Sequence, residues 1–353
     1  MAKKRIQWID FARGIAILAV IVGHTLGPYT GQFFGSFIFA FHMPIFFVLS
    51  GYLYHQRTII KEFKHSTINL LIPYVTTTVV VLIVNWVALQ MPSNIVIKPF
   101  FLSTREGLLA MLYGAGSDVL NPWGWHVPVI GAIWFLLSMF ISVQLFNGLL
   151  LVTRKMKYVQ TARSGLVLLL ATVGGLLGRW AYLPWAFNAA LLSQIFLYAG
   201  YLIRQNHLLD RIENTWYVVF GFAWLLSAFQ GYFSLNVPAS PNLVISVLGG
   251  IGASLVIIKG CIWLDHFQNS FAINLLAQYG RLSLIILCFH LIDLEVIGIG
   301  NWVYGGLLPV VGSLLATIIT IIYRIGFATF WMVIVPKIPI IRVGFFPRKY
   351  FFE

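Results

Sequence analysis

Two residue types that lipid-facing helices avoid, an arginine and a histidine, stand at the ends of RGIAILAVIVGH, Arg13 to His24. An ionisable side chain at the bilayer centre costs about 2.5–3.5 kcal/mol on insertion scales and normally faces a bundle interior or a water-filled cavity. On an α-helix Arg13 and His24 fall about 20° apart around the axis and about 16 Å apart along it, with Asp10 within about 60° of both. An imidazole titrates near neutrality and suits a general base, whereas a guanidinium suits phosphate. Two readings are open. Either this stripe lines a site, or Asp10 and Arg13 form a structural i,i+3 pair while His24 caps a neighbouring helix.

A second segment, FHMPIFFVLSGYL (41–53), carries His42, Pro44, Ser50 and Gly51. Proline removes a backbone donor, so carbonyls are freed that must line protein or water. Ser50-Gly51 permits close helix contact. If the first helix crosses and the second returns, His24 and His42 share one half of the membrane and can face one cavity. A third segment, YGRLSLIILCFHLID (279–293), places His290 near mid-membrane with Asp293 three residues on. That pair is either a functional site or a buried hydrogen-bonded pair. Trp134 in WFLLS (134–138) and Trp185 in LPWAFN (183–188) read as packing residues or interface anchors.

The elements that position these residues must be membrane helices. The chain has 353 residues, 59% hydrophobic and 9% charged, with mean hydropathy +0.88. A soluble domain carries about 25% charged residues, so this chain lacks the polar residues to cover a water-facing surface. An all-α integral membrane protein is expected, a single polytopic domain over 1–353 without a separate soluble domain. Stretches of about 20 apolar residues predict about ten spans, near 7–27, 33–54, 67–89, 129–152, 165–181, 185–203, 215–234, 242–262, 279–298 and 307–334. The last is long enough to tilt or break, and the ninth has an alternative start near Phe271. The first run lacks a small-residue cleavage site and is expected to stay in the mature protein.

With both termini cytoplasmic, 17 of the 23 Lys and Arg fall on inside segments. They are Lys3, Lys4, Arg5, Arg57, Lys61, Lys64, Arg154, Lys155, Lys157, Arg163, Arg204, Arg211, Lys259, Lys337, Arg342, Arg348 and Lys349. Outside segments hold Lys98, Arg105 and Arg179. The net charge of +13 is thereby explained by the positive-inside rule rather than by nucleic acid. Trp8 and Tyr29 bracket the first span as interfacial aromatics. Cys261 and Cys288 lie in apolar segments and read as small buried hydrophobes, and no CxxC or HExxH spacing suggests a metal. No internal repeat of the transporter kind is evident. The longest outside connection, 90–128, contains NPWGWHVP with Trp123, Trp125 and His126, and suits a lid or acceptor surface.

The sequence resembles the membrane-bound acyltransferase family 3, within it the fucose 4-O-acetylase-like group. The resemblance rests on IQWIDFARGIAILAVIVGHT with its Arg-x10-His, then FAFHMPIFFVLSGYLY, LLIPY (70–74), WFLLSMF (134–140), LPW (183–185) followed by YAGYLIR (198–204), and YGRLSLIILCFH (279–290). It implies a ten-helix core in a cell membrane, bacterial cytoplasmic by the group. It also implies transfer of an acyl group, usually acetyl, from cytoplasmic acyl-CoA to a hydroxyl of a cell-envelope glycan or lipid-linked sugar. Family members often carry a basic residue just before the LLIPY block, where this chain has Asn69. Many have Asp shortly after LPW, where this chain has Asn188. The hydrolase-like C-terminal domain of some relatives is not expected.

On that resemblance His24 is expected as general base toward the acceptor hydroxyl, with an acyl-His24 intermediate ranked second. His42 is expected to position the acceptor or donate to the oxyanion. Arg13 is assigned the thioester or pantetheine-pyrophosphate end of acetyl-CoA, oriented by Asp10. Ser50, Trp134, His290 and Asp293 are supporting candidates. The rival reading is a transporter of glycans or glycolipids, or one coupled to protons through His290 and Asp293.

Overall fold

The computed structural model describes residues 6–91, 94, 96–118, 124, 126–267 and 270–347. Lys3, Lys4, Arg5, Trp123, Trp125, Arg348 and Lys349 lie outside them. Among the described residues no strand forms, and the one β-bridge joins Ser234 to Ala239. The helices are α1 (Gln7–Thr25), α2 (Phe33–Phe39), α3 (Pro44–Leu53), α4 (Ile59–Ser66), α5 (Ile72–Gln90), α6 (Thr104–Tyr113), α7 (Trp134–Thr153), α8 (Val159–Leu177) and α9 (Phe187–Leu192). They continue as α10 (Gln194–Gln205), α11 (Leu208–Arg211), α12 (Asn214–Gln230), α13 (Leu243–Leu264), α14 (Phe271–Arg281), α15 (Ser283–Ile292), α16 (Ile299–Ile334) and α17 (Pro339–Phe345). Local chemistry fixes several ends. Thr58, Ser103 and Asn242 cap α4, α6 and α13 by accepting from backbone amides of the first turn. Two π-helical turns interrupt the pattern, at Thr67–Leu71 and Asp293–Ile297.

Among the described residues seven helical stretches are long and apolar enough to cross a membrane: Gln7–Thr25, Phe33–Leu53, Ile59–Gln90, Trp134–Thr153, Val159–Leu177, Leu243–Phe267 and Ile299–Lys337. Counting Pro184–Leu192 and Gln194–Gln205 as one broken span makes eight. The expected count of ten is not reached by these measures. The stretch expected at 215–234 is a helix of 17 residues, and the one expected at 279–298 is no single helix. There α14 stops at Arg281, α15 runs for 10 residues, and the π turn follows. Hydropathy sees composition and misses such breaks, whose open backbone groups are satisfied within the protein. The long final span does break, at Gly312, with Pro309 one turn earlier.

Two compact units interleave in the sequence. The first comprises Met1–His55, Ser193–Leu235 and Ala239–Ser283; the second comprises Gln56–Leu192, Asn236–Pro238 and Leu284–Glu353. Two backbone-on-backbone crossings organise the first unit. A Cβ on Gly51 of α3 would strike the carbonyl of Leu197, and one on Gly200 of α10 would strike that of Val48. A Cβ on Gly14 of α1 would strike the carbonyl of Leu276, and one on Gly280 of α14 that of Asp10. Small residues let membrane helices approach to this distance, as expected for the Ser50-Gly51 pair.

The second unit is tied at its loops by side chains. Tyr182 Oη donates to Asn236 Oδ1 at 2.6 Å and accepts from the Gly116 amide at 3.2 Å. Asn236 Nδ2 donates to Ser117 Oγ at 2.6 Å. Asn188 accepts from the Leu183 amide at 2.9 Å and donates to the Ala181 carbonyl at 2.7 Å. An aspartate there could not make the second bond, so the departure from the family pattern has a local use. Cys261 and Cys288 are buried and unbridged.

Candidate functional site

The span expected over 33–54 is built from two helices, α2 and α3. Pro44 is the first residue of α3, where its missing donor costs nothing. His42 sits in the break between Phe39 and Pro44 and is only 3% exposed. Its Nδ1 lies 3.2 Å from the carbonyl oxygen of Ile38. A carbonyl only accepts, so this bond requires the proton on Nδ1, and a neutral His42 presents Nε2 as a lone pair. The donor role toward an oxyanion expected for His42 is therefore confined to its imidazolium form.

His24, in the last turn of α1 and half-buried, comes to the same place. The two imidazole centroids are 6.4 Å apart with planes at 84°. Phe39 packs edge-on against His42 at 4.4 Å and lies 6.4 Å from His24. Tyr232 also packs on Phe39, at 4.5 Å. Phe37 stacks on Trp224 at 4.0 Å, and Trp224 Nε1 donates to the Phe37 carbonyl at 2.9 Å, which fixes α2 against α12. The His24–His42 approach is thus held by an aromatic wall.

At the other end of α1, Asp10 is buried and Arg13 half-buried. Asp10 Oδ2 accepts from Arg281 Nε at 3.2 Å. Asp10 thus also meets a long-range arginine, Arg281 on α14, brought there by the Gly14–Gly280 crossing. Ser50 is half-buried beside Gly51, eight residues along the chain from His42, at the α3–α10 crossing.

Trp134, His290 and Asp293 belong to the second unit. Trp134 is buried and packs against Gly116, where a Cβ would strike its indole. Its burial suits packing rather than an interface anchor. His290 is 1% exposed. Asp293, expected to couple with His290, has its carboxylate engaged by α16. Tyr323 Oη donates to Oδ1 at 2.9 Å and Arg324 Nε lies 3.5 Å from Oδ2. Arg324 Nη2 donates to Asn301 Oδ1 at 3.1 Å.

The family model described as an acyltransferase domain, that of acyltransferase family 3, matches residues 6–329, nearly the whole chain. The chain belongs to acyltransferase family 3. Membership makes it a multi-pass membrane acyltransferase of helical architecture. No curated protein and no solved structure matches it. The matched range includes both histidines, the Asp10–Arg281 pair and the Asp293–Arg324 pair.

For this acyltransferase, residue-by-residue reading missed Arg281, Tyr323 and Arg324 as partners. A signal was present. Of the 23 basic residues, those on neither side of the expected topology are Arg13, Arg281 and Arg324. Each lies inside a segment otherwise fit for lipid, where a charge needs a reason.

Proposed function

We propose that this acyltransferase moves an acyl group, acetyl foremost, from cytoplasmic acyl-CoA to a hydroxyl of a cell-envelope glycan or a lipid-linked sugar. The observation that carries the reading is the convergence of His24 and His42 across the break before Pro44, with His42 held as an Nδ1–H tautomer. His24 takes the proton of the acceptor hydroxyl as its oxygen attacks the thioester carbonyl. Collapse of the tetrahedral intermediate forms the ester and breaks the C–S bond, and the proton passes to the departing CoA thiolate. His42 accepts a hydrogen bond at Nε2 and orients the acceptor or His24. Arg13, about 16 Å along α1 from His24, meets the pantetheine-pyrophosphate end of the donor. A pantetheine arm is long enough to span that interval.

The same reading puts both termini in the cytoplasm of a bacterial cell and ten crossings in its membrane, the bent and short helices α9–α10, α12 and α14–α15 supplying the crossings beyond seven. The test is purified protein in nanodiscs with radiolabelled acetyl-CoA and an envelope extract as acceptor. Label moving to glycan or glycolipid supports the proposal. Folded protein that neither releases CoA nor labels the extract rejects it in favour of a transport role.

A further inference from the structure

We infer that Arg281 is a second anion-binding residue of the donor site, receiving a phosphate of acyl-CoA, and that Asp10 positions its guanidinium. The inference rests on the donor reading above and adds a residue to it. Its first ground is geometry. The hydrogen bond between the pair uses Nε at 3.2 Å, so among the described residues neither terminal nitrogen of Arg281, Nη1 or Nη2, has a hydrogen-bond partner. The terminal fork is the part of a guanidinium that matches phosphate bidentately.

Its second ground is exposure. The Asp10 side chain is 3% exposed and needs a cation, yet Arg281 is 41% exposed. An arginine recruited only to neutralise a buried carboxylate is covered with it, as Arg324 beside Asp293 is, at 3% and 0%. Its third ground is placement. Asp10 and Arg13 are within about 60° of each other on α1, so the pair Asp10–Arg281 borders the stripe that carries Arg13 and His24. Two guanidiniums against one carboxylate leave this end of the stripe positive. The backbone crossing at Gly14 and Gly280 fixes the register, since any side chain on Gly280 would meet the Asp10 carbonyl. Arg281 follows Gly280 directly and is the last residue of α14.

A bland alternative is an arginine that serves the C-terminal end of the α14 dipole. Substitutions separate the two. Full-length protein in nanodiscs is titrated with CoA, 3′-dephospho-CoA and inorganic pyrophosphate, for wild type, Arg281→Lys, Arg281→Gln, Asp10→Asn and the double variant Asp10→Asn/Arg281→Gln. Loss of charge-assisted hydrogen bonds predicts CoA binding about 10- to 100-fold weaker in Arg281→Gln. Arg281→Lys, which keeps the charge but not the fork, falls between, and pyrophosphate competition is lost with the CoA. The double variant buries no lone carboxylate, so it folds and still binds CoA weakly. In Asp10→Asn the KM for acetyl-CoA rises while kcat holds. Wild-type affinity for CoA in a folded Arg281→Gln or in the double variant overturns the inference and leaves acyl transfer untouched. Pyrophosphate binding that depends on Arg281, in a wild type that ignores CoA, overturns the donor reading instead and keeps the anion site.

Discussion

Asp10–Arg281 in the first unit and Asp293–Arg324 in the second are both buried carboxylates met by an arginine Nε. Their surroundings differ. Around Asp293 the network is closed to water: Tyr323 donates to one carboxylate oxygen, Arg324 forms an ion pair with the other at 3.5 Å without a hydrogen bond, and an Arg324 terminal nitrogen donates to Asn301. Around Asp10 the circuit is open on the arginine side, with the Arg281 side chain 41% exposed. A closed network in low dielectric specifies packing and resists change. An open one offers hydrogen bonds to something that arrives. The histidine pair shares the open unit, which is where the chemistry of this acyltransferase is proposed.

That contrast can be broken in four ways. The largest effect is expected for His24→Ala, which removes the general base and lowers transfer about 10²- to 10⁴-fold with helicity by circular dichroism unchanged. Next is Arg324→Met, which leaves Asp293 buried without its cation. It is expected to cost about 3–5 kcal/mol of stability, read as a lower unfolding temperature, with kcat per folded molecule retained. Gly200→Val drives a side chain into the Val48 carbonyl. Overpacking of that kind costs about 1–3 kcal/mol and displaces α3, so stability and turnover fall together.

A smaller, local effect belongs to Tyr182→Phe in the loop lock of the second unit, about 0.5–1.5 kcal/mol for each of the two hydrogen bonds its hydroxyl makes. The same phenol gives a pH prediction. Burial holds Tyr182 above its usual 10.0. Its protonated form is therefore favoured by the fold, and its contribution is whole below pH 10 and lost as pH climbs through the higher folded value. Thermal unfolding scanned across alkaline pH should show a drop in wild type that is reduced in Tyr182→Phe.

Much of this was legible in the residues. Composition alone gives a helical membrane protein. The Arg13–His24 stripe and the proline after His42 are enough to expect two imidazoles converging, because a chain that crosses and turns back brings both to one side. The break in the last long helix is readable from Pro309 and Gly312. What the residues conceal is which helix lies against which. Helical periodicity assigns Asp10 a face but not a neighbour on another helix, and Arg281 is 271 residues away. A spacing of three made His290 look like the partner of Asp293, whereas the acid is engaged by α16. The number of crossings is hidden for a related reason: helices interrupted at Leu282 or Ser193 and then resumed keep the hydropathy of a single span.

The most direct test compares one change in each unit. His24→Ala and Tyr323→Phe are each purified in nanodiscs, and release of CoA from radiolabelled acetyl-CoA in the presence of envelope extract is measured beside wild type. The account predicts turnover lost in His24→Ala and kept within about twofold in Tyr323→Phe, since a single hydroxyl in a closed network contributes about 0.5–1.5 kcal/mol to the fold and touches no reactant. Full turnover in a folded His24→Ala, or loss confined to Tyr323→Phe, would contradict it and move the chemistry to the second unit.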